Sequence, residues 1–287
     1  MFYLPIIGAF LEATGMIIEK KTLKKKNINY KNYTIFSFLA IVIVMIPFLF
    51  FFWKLEPRAF ELKNLLIFFV IAITALIANL LIFYSLKRET LCEFEPIVLM
   101  QPLFTILLAF ILSFFISVYS NENNPIILIL ALIASITLIA AHIKKDHLVY
   151  NKYIIATFLG SFLFACELVL SKMILEYYSS WTFYFLRCVV ILIIAWIIFR
   201  PSFKKIDKGT QFMVWGVSIV WIILRVILYW GYENLGIIYT TIVLSVLSPV
   251  LIFIFARIFL KEKITKRQII SAAIILLCVI VAVIIGK

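Results

Sequence analysis

Long apolar stretches alternate with short polar hinges along the whole chain. The apolar stretches cover residues 3–18, 33–53, 64–86, 92–117, 125–143, 153–175, 181–199, 212–232, 240–259 and 269–285. A helix crosses the hydrocarbon core of a bilayer with roughly 20 apolar residues, and most of these stretches come close to or exceed that length. The runs are continuous rather than alternating, which predicts helices and disfavours an outer-membrane barrel. A bilayer offers no water to unsatisfied backbone groups, so each crossing must be helical. The expected fold is an all-α integral membrane protein with ten transmembrane helices, which use up all 287 residues and leave no room for a soluble domain. Prolines interrupt two of the helices, Pro102 in the fourth and Pro249 in the ninth. Each proline frees one backbone carbonyl and predicts a bend, either a static kink or a point that opens and closes one end of a cavity.

An internal repeat is visible in the same pattern. Gly8-Ala9-Phe10-Leu11, followed by Ala13, returns as Gly160-Ser161-Phe162-Leu163, followed by Ala165. Lys20 and Lys172 keep the same offset, and Pro102 is answered by Pro249. The chain divides accordingly into residues 1–150 and 151–287, with five helices expected in each. An odd number of crossings means that the second copy enters the membrane from the opposite side. Inverted repeats of this kind are found in secondary transporters, with the substrate held near the midplane. A single short match among Leu-, Ile- and Phe-rich helices arises by chance, whereas matches in the right order favour a true repeat. Ala9/Ala13 and Ser161/Ala165 also form small-residue pairs that permit close helix packing.

Composition agrees with a membrane protein, since 65% of residues are hydrophobic and 14% charged, against about 45–50% and about 25% in soluble domains. A net charge of +13 would suit a nucleic-acid partner, but the basic residues are scattered through many hinges. Basic hinges set orientation and touch anionic lipid, so the bilayer is the expected partner and nucleic acid is not. The hinges after the first, third, fifth, seventh and ninth helices hold nearly all the Lys and Arg. Positive-inside counting places those hinges in the cytoplasm and both termini outside, in a multi-pass protein of the cytoplasmic membrane. The first stretch lacks a basic leader and an obvious cleavage site, as a retained helix would. The four cysteines show no metal-ligand spacing and read as small packing residues. No HExxH, GxSxG, P-loop or Gly-rich dinucleotide turn occurs, so neither an enzyme, a cofactor nor a metal is expected.

Ionisable groups inside apolar helices are costly and call for a partner or a use. The carboxylates are Glu12, Glu93, Glu95, Glu167 and Glu233, and the cations within helices are Arg187 and Arg225. Glu12 and Glu167 fall in the matching helices of the two repeats. Each can serve a substrate or a coupling proton, or simply neutralise Arg187 or Arg225. Glu93 and Glu95 point about 200° apart on a helix, so at most one faces a central cavity. Ser218, Trp221, Arg225, Tyr229 and Tyr232 form a stripe on one face of the eighth helix. That stripe is either an ordinary helix seam or, given its central Arg, a cavity wall. Asn79 and Tyr84 on the third helix join the candidate substrate contacts, with Tyr84, Trp221, Tyr229 and Tyr232 offering cation–π faces.

The final 49 residues, 239–287, carry a resemblance. A Thr/Ser-rich start, Ser248-Pro249 in mid-helix, Leu260-Lys261-Glu262-Lys263 in the hinge, Gln268 and a return helix resemble the last helical pair of the drug/metabolite transporter superfamily, EamA type. Arg187 and Arg200 also fall where that pattern carries arginines, whereas Lys261 and Ala272 stand where relatives usually have glycine. Glu12 resembles the cation-binding Glu of the small multidrug resistance branch. The resemblance implies alternating access around a cavity lined by the first, third, fourth, sixth, eighth and ninth helices. It also implies termini on the cytoplasmic side, opposite to the charge count. The function expected is secondary active transport of a small metabolite, cationic or zwitterionic, such as an amino acid, an amine or a quaternary ammonium compound. A proton is a candidate coupling ion, and the protein is expected as a monomer or a homodimer. The alternatives are an inorganic cation transporter, since residues 16–21 are similar to magnesium-transporter relatives, and a membrane enzyme acting on lipid.

Overall fold

The computed structural model describes residues 4–25, 28–89, 94, 97–98, 100–122, 124–142, 151–201, 207–251 and 266–285. The described helices are α1 (Leu4–Leu23), α2 (Tyr30–Phe52), α3 (Leu62–Arg88), α4 (Met100–Ser113), α5 (Pro125–His142), α6 (Lys152–Lys172), α7 (Ser180–Phe199), α8 (Lys208–Asn234), α9 (Ile237–Thr241) and α10 (Lys266–Ile285). A π-helical segment, Ile242–Val246, continues α9. Five of them, α2, α3, α6, α7 and α8, are long and apolar enough to cross a membrane. Large apolar side chains face outward on them, with Phe50 of α2 87% and Phe212 of α8 79% exposed.

Helix starts follow local chemistry. The side chains of Asn151, Ser179 and Asp207 accept hydrogen bonds from the amides of Tyr153, Thr182 and Thr210 at 2.8, 3.1 and 2.9 Å, each satisfying a donor that a helix start leaves open. The Thr210 hydroxyl and amide hold the exposed Asp207 carboxyl below the usual carboxylate range. Gly236 adopts φ +94°, a conformation favoured by glycine, and turns the chain from α8 into α9.

Two helices differ from the pattern read along the sequence. α1 runs past residue 18 to Leu23 and carries Glu19 and Lys20 into the interior. The Lys20 ammonium donates to the Leu86 and Glu89 carbonyls that close α3, and Glu19 accepts from the Tyr33 hydroxyl at 2.9 Å. With these partners neither charge needs to end the helix. The ninth helix starts at Ile237 and turns π-helical before Pro249. Proline has no amide to offer the carbonyl four residues earlier, and that position, Ser245, lies inside the π segment. Pro102 is buried in α4. The Lys261 to Lys263 hinge lies outside the described residues.

The most extensive contacts join α3 to α6, α1 to α8, α2 to α7 and α5 to α10. α4 also packs on α6, and α1 packs on the π segment that follows α9. Shifting each label by five exchanges the first two pairs and returns the next two to themselves. It also turns the α4–α6 contact into that of α1 with the ninth helix.

The two ends of the bundle are tied differently. At one end Ser85 donates to the Tyr153 carbonyl, Asn151 donates to Glu89, and exposed Lys25 lies 3.6 Å from Asp207. At the other end the hinges after α2 and α6 pair as extended backbone between Leu55 and Tyr178. There Glu122, buried, accepts from the Ile237 and Ile238 amides at 2.5 and 2.9 Å and from Lys172 at 2.6 Å. Lys25 and Lys172 therefore stand beyond opposite ends of α8.

Candidate functional site

A central cavity opens between α1, α2, α3, α4, α6, α7, α8 and the ninth helix, with Gln101 contributed by α4. It leaves about 90 Å³ to the centres of water molecules, room for several waters at roughly 10–15 Å³ each. α1 contributes Glu12, Met16 and Glu19, at spacings of four and three that place them on one helical face. Asn79 and Ile82 come from α3, Arg187 from α7, and Trp221 and Arg225 from α8. Ser37, Ile41, Phe164 and Leu244 complete much of the wall.

A charge cluster sits at the inner edge of this cavity. The Glu167 carboxylate is fully buried and pairs with the Arg187 guanidinium. The Tyr229 hydroxyl donates to the same oxygen at 2.9 Å. Arg225 approaches the other oxygen at 3.7 Å, a looser contact, with its guanidinium over the Phe164 ring. Arg187 is flanked by the Tyr184 and Tyr229 rings at 5.0 and 5.6 Å. Removing a guanidinium from water is costly unless it is paired; one carboxylate, the Tyr229 hydroxyl and two aromatic rings partner Arg187, while its Nε is left without a hydrogen bond.

The α1 carboxylates are furnished otherwise. Glu12 Oε2 is buried without a hydrogen-bond partner, and so are Ser248 Oγ and Trp221 Nε1. The Arg225 charge and Ser248 face Glu12. Glu19 has neutral neighbours first, Tyr33 and Trp221, and the Arg225 charge farther off. The geometry sets these levels. A Cβ on Gly8 would meet Ile227 at 3.5 Å, and one on Gly15 would meet Val220 and Trp221 at 3.3 and 3.6 Å. Hence α1 and α8 run antiparallel, Glu12 comes level with Leu224 and Arg225, and Glu19 lies toward the start of α8.

The structure brings Glu12, Asn79, Trp221 and Arg225 together on the cavity wall. Glu167 and Tyr229 stand beside it, joined to Arg187 and Arg225. Tyr84 is not among the lining residues; it packs against the Tyr30 and Tyr153 rings at 5.3 and 5.0 Å. Glu93 and Glu95 lie outside the described residues. The α8 stripe divides by position: Ser218 donates to the Ser37 carbonyl at 3.3 Å, Tyr232 lies 3.3 Å from Thr241, and only the middle faces the cavity. Glu233 is exposed at the end of α8. Glu19, Ser37 and Tyr184 are polar lining residues that the sequence pattern did not single out, and Glu19 alone of them is acidic. Its signal was the seven-residue spacing from Glu12, which keeps two side chains within about 20° on a helix. Among the described residues no group of His, Cys, Asp and Glu is placed to hold a metal ion.

Comparison with known proteins bears on the whole chain and on its second half. Nothing among curated proteins matches. A solved structure described only as "Crystal structure of protein" superposes with a TM-score of 0.73 over 99% of this chain and 97% of that one, at 15% identity. At that identity the likeness is one of fold. The model of the EamA-like transporter family matches residues 151–284. With its apolar helices, the protein is a multi-pass membrane protein, and residues 151–284 form an EamA-like transporter domain of the drug/metabolite transporter superfamily.

Proposed function

We propose that the protein is a secondary active transporter, not an enzyme. It moves a small cationic or zwitterionic metabolite across the cytoplasmic membrane by alternating access around the central cavity. The observation that carries this reading is the unequal furnishing of the cavity's carboxylates. Glu167 is ion-paired with Arg187 and Arg225 and accepts from Tyr229, whereas Glu12 forms no ion pair among the described residues; an oxygen of each, Oε2, takes no hydrogen bond. Glu12, Glu19 and Glu167 give three carboxylates against the two guanidiniums of Arg187 and Arg225. When all are ionised the site carries an excess negative charge, which attracts cations.

The halves, residues 1–150 and 151–287, act as inverted five-helix repeats in this reading. Support comes from the contact pattern that survives a shift of five helices and from Lys25 and Lys172 lying at opposite ends. The chain crosses the membrane ten times, with the Lys25 end in the cytoplasm as the basic hinges favour. Pro102 and the π segment before Pro249 give the fourth and ninth helices their points of flexure. Counterflow in proteoliposomes against a metabolite panel tests the function. Cysteine labelling at positions 25 and 172 tests the topology, with labelling from the same side counting against inversion.

A further inference from the structure

We propose that the cavity selects a dibasic amino acid, held by the α-carboxylate on Arg225, the α-ammonium at Glu12 and the side-chain ammonium at Glu19. The inference rests on the transport reading above and narrows its substrate.

The wall of α1 carries the argument. Glu12, Met16 and Glu19 follow one another along a single face lining the cavity. The two carboxylates are separated by about 10 Å along the helix axis, with a thioether between them. That order of charge, apolar span and charge matches a chain of methylenes with an ammonium at each end. Ile41, Ile82 and Leu224 add apolar surface to the lining, beside the neutral polar side chains of Ser37, Asn79 and Gln101.

The two ends differ in what they can accept. At the Glu12 end a guanidinium stands level with the carboxylate, and Arg225 holds Glu167 only at 3.7 Å. An ammonium and a carboxylate on neighbouring atoms fit that pair of opposite charges. At the Glu19 end the neighbours are the Tyr33 hydroxyl and the Trp221 indole. A carboxylate whose nearest neighbours are neutral suits a lone cation. Charge balance points the same way. Three carboxylates and two guanidiniums leave one negative charge, and a dibasic amino acid carries one net positive charge. A neutral amino acid would leave Glu19 uncompensated, and a diamine would leave one excess positive charge, with only the loose Glu167 contact for Arg225.

Three matched probes test each anchor on the purified full chain: L-lysine, L-norleucine, which lacks the side-chain ammonium, and cadaverine, which lacks the carboxylate. Isothermal calorimetry should find L-lysine bound roughly tenfold or more tightly than either, as expected for one charge-assisted contact. Glu19→Gln, which still offers Tyr33 an acceptor, should erase the advantage over L-norleucine and leave L-norleucine unchanged. Glu12→Gln should weaken L-lysine and L-norleucine alike. Equal binding of L-lysine and L-norleucine by the unaltered protein overturns the proposal, as does a Glu19→Gln variant that keeps the preference. Failure of every amine and amino acid, with uptake of an organic anion instead, overturns the broader transport reading.

Discussion

Glu122 and Glu12 are both acidic side chains carried into the protein, one at an end of the bundle and one at its centre. Glu122 is 3% exposed and its oxygens take two backbone amides and the Lys172 ammonium. Glu12 has a buried oxygen that takes none. A buried acceptor left unsatisfied costs about 1–3 kcal/mol, so a fold that saturates one carboxylate and not the other is using them differently. Glu122 fastens the start of the ninth helix to the end of α6. Glu12 is left open toward the cavity, where a ligand can complete it. Glu167 stands between the two: its Oε1 is taken by Arg187 and Tyr229, while its Oε2 has no hydrogen bond and only the loose ion pair with Arg225, whose guanidinium faces the cavity.

Substitutions should separate these roles, starting with stability of the purified protein in detergent. Glu167→Ala leaves Arg187, 2% exposed, without its counter-ion and should cost about 3–5 kcal/mol, enough to prevent recovery of folded protein. Glu122→Ala removes charge-assisted bonds to two amides and Lys172 and should cost about 1.5–3 kcal/mol, read as a lower midpoint of thermal unfolding. Ser179→Ala removes the α7 cap and should cost about 1 kcal/mol. Glu12→Gln should leave the midpoint unchanged or raise it, because an incompletely solvated charge is replaced by a neutral amide. A Glu12→Gln variant as unstable as Glu122→Ala would collapse the contrast between the two carboxylates.

The positions of the helices were legible in the sequence because continuous apolar runs leave few alternatives. The cavity was legible in part. Glu12 and Arg225 could be named from the cost of a charge in an apolar helix, and Trp221 from its place on the α8 stripe. Tyr84 was misplaced because five residues separate it from Asn79, about 140° around a helix, so the two cannot line one wall. Glu19 was read as the edge of a hinge. Its burial depends on Tyr33, and that of Lys20 on two carbonyls of α3, contacts far off in sequence. Glu122 was invisible for the same reason, since its partners lie on α6 and on the ninth helix. The π segment was half legible: Pro249 announced an irregularity, but its form depends on how the freed carbonyl is accommodated.

The central claim is that Glu12 serves the substrate or its coupling ion rather than the fold. Substrate counterflow in proteoliposomes, comparing the unaltered protein with Glu12→Gln, tests it most directly. The account predicts that the unaltered protein exchanges a cationic or zwitterionic metabolite and that the folded Glu12→Gln variant loses coupled transport. A site for the substrate's cation would lose affinity at every pH, and a proton site would mainly lose its pH dependence. Normal transport by Glu12→Gln, with an anion as the preferred substrate, would contradict the account.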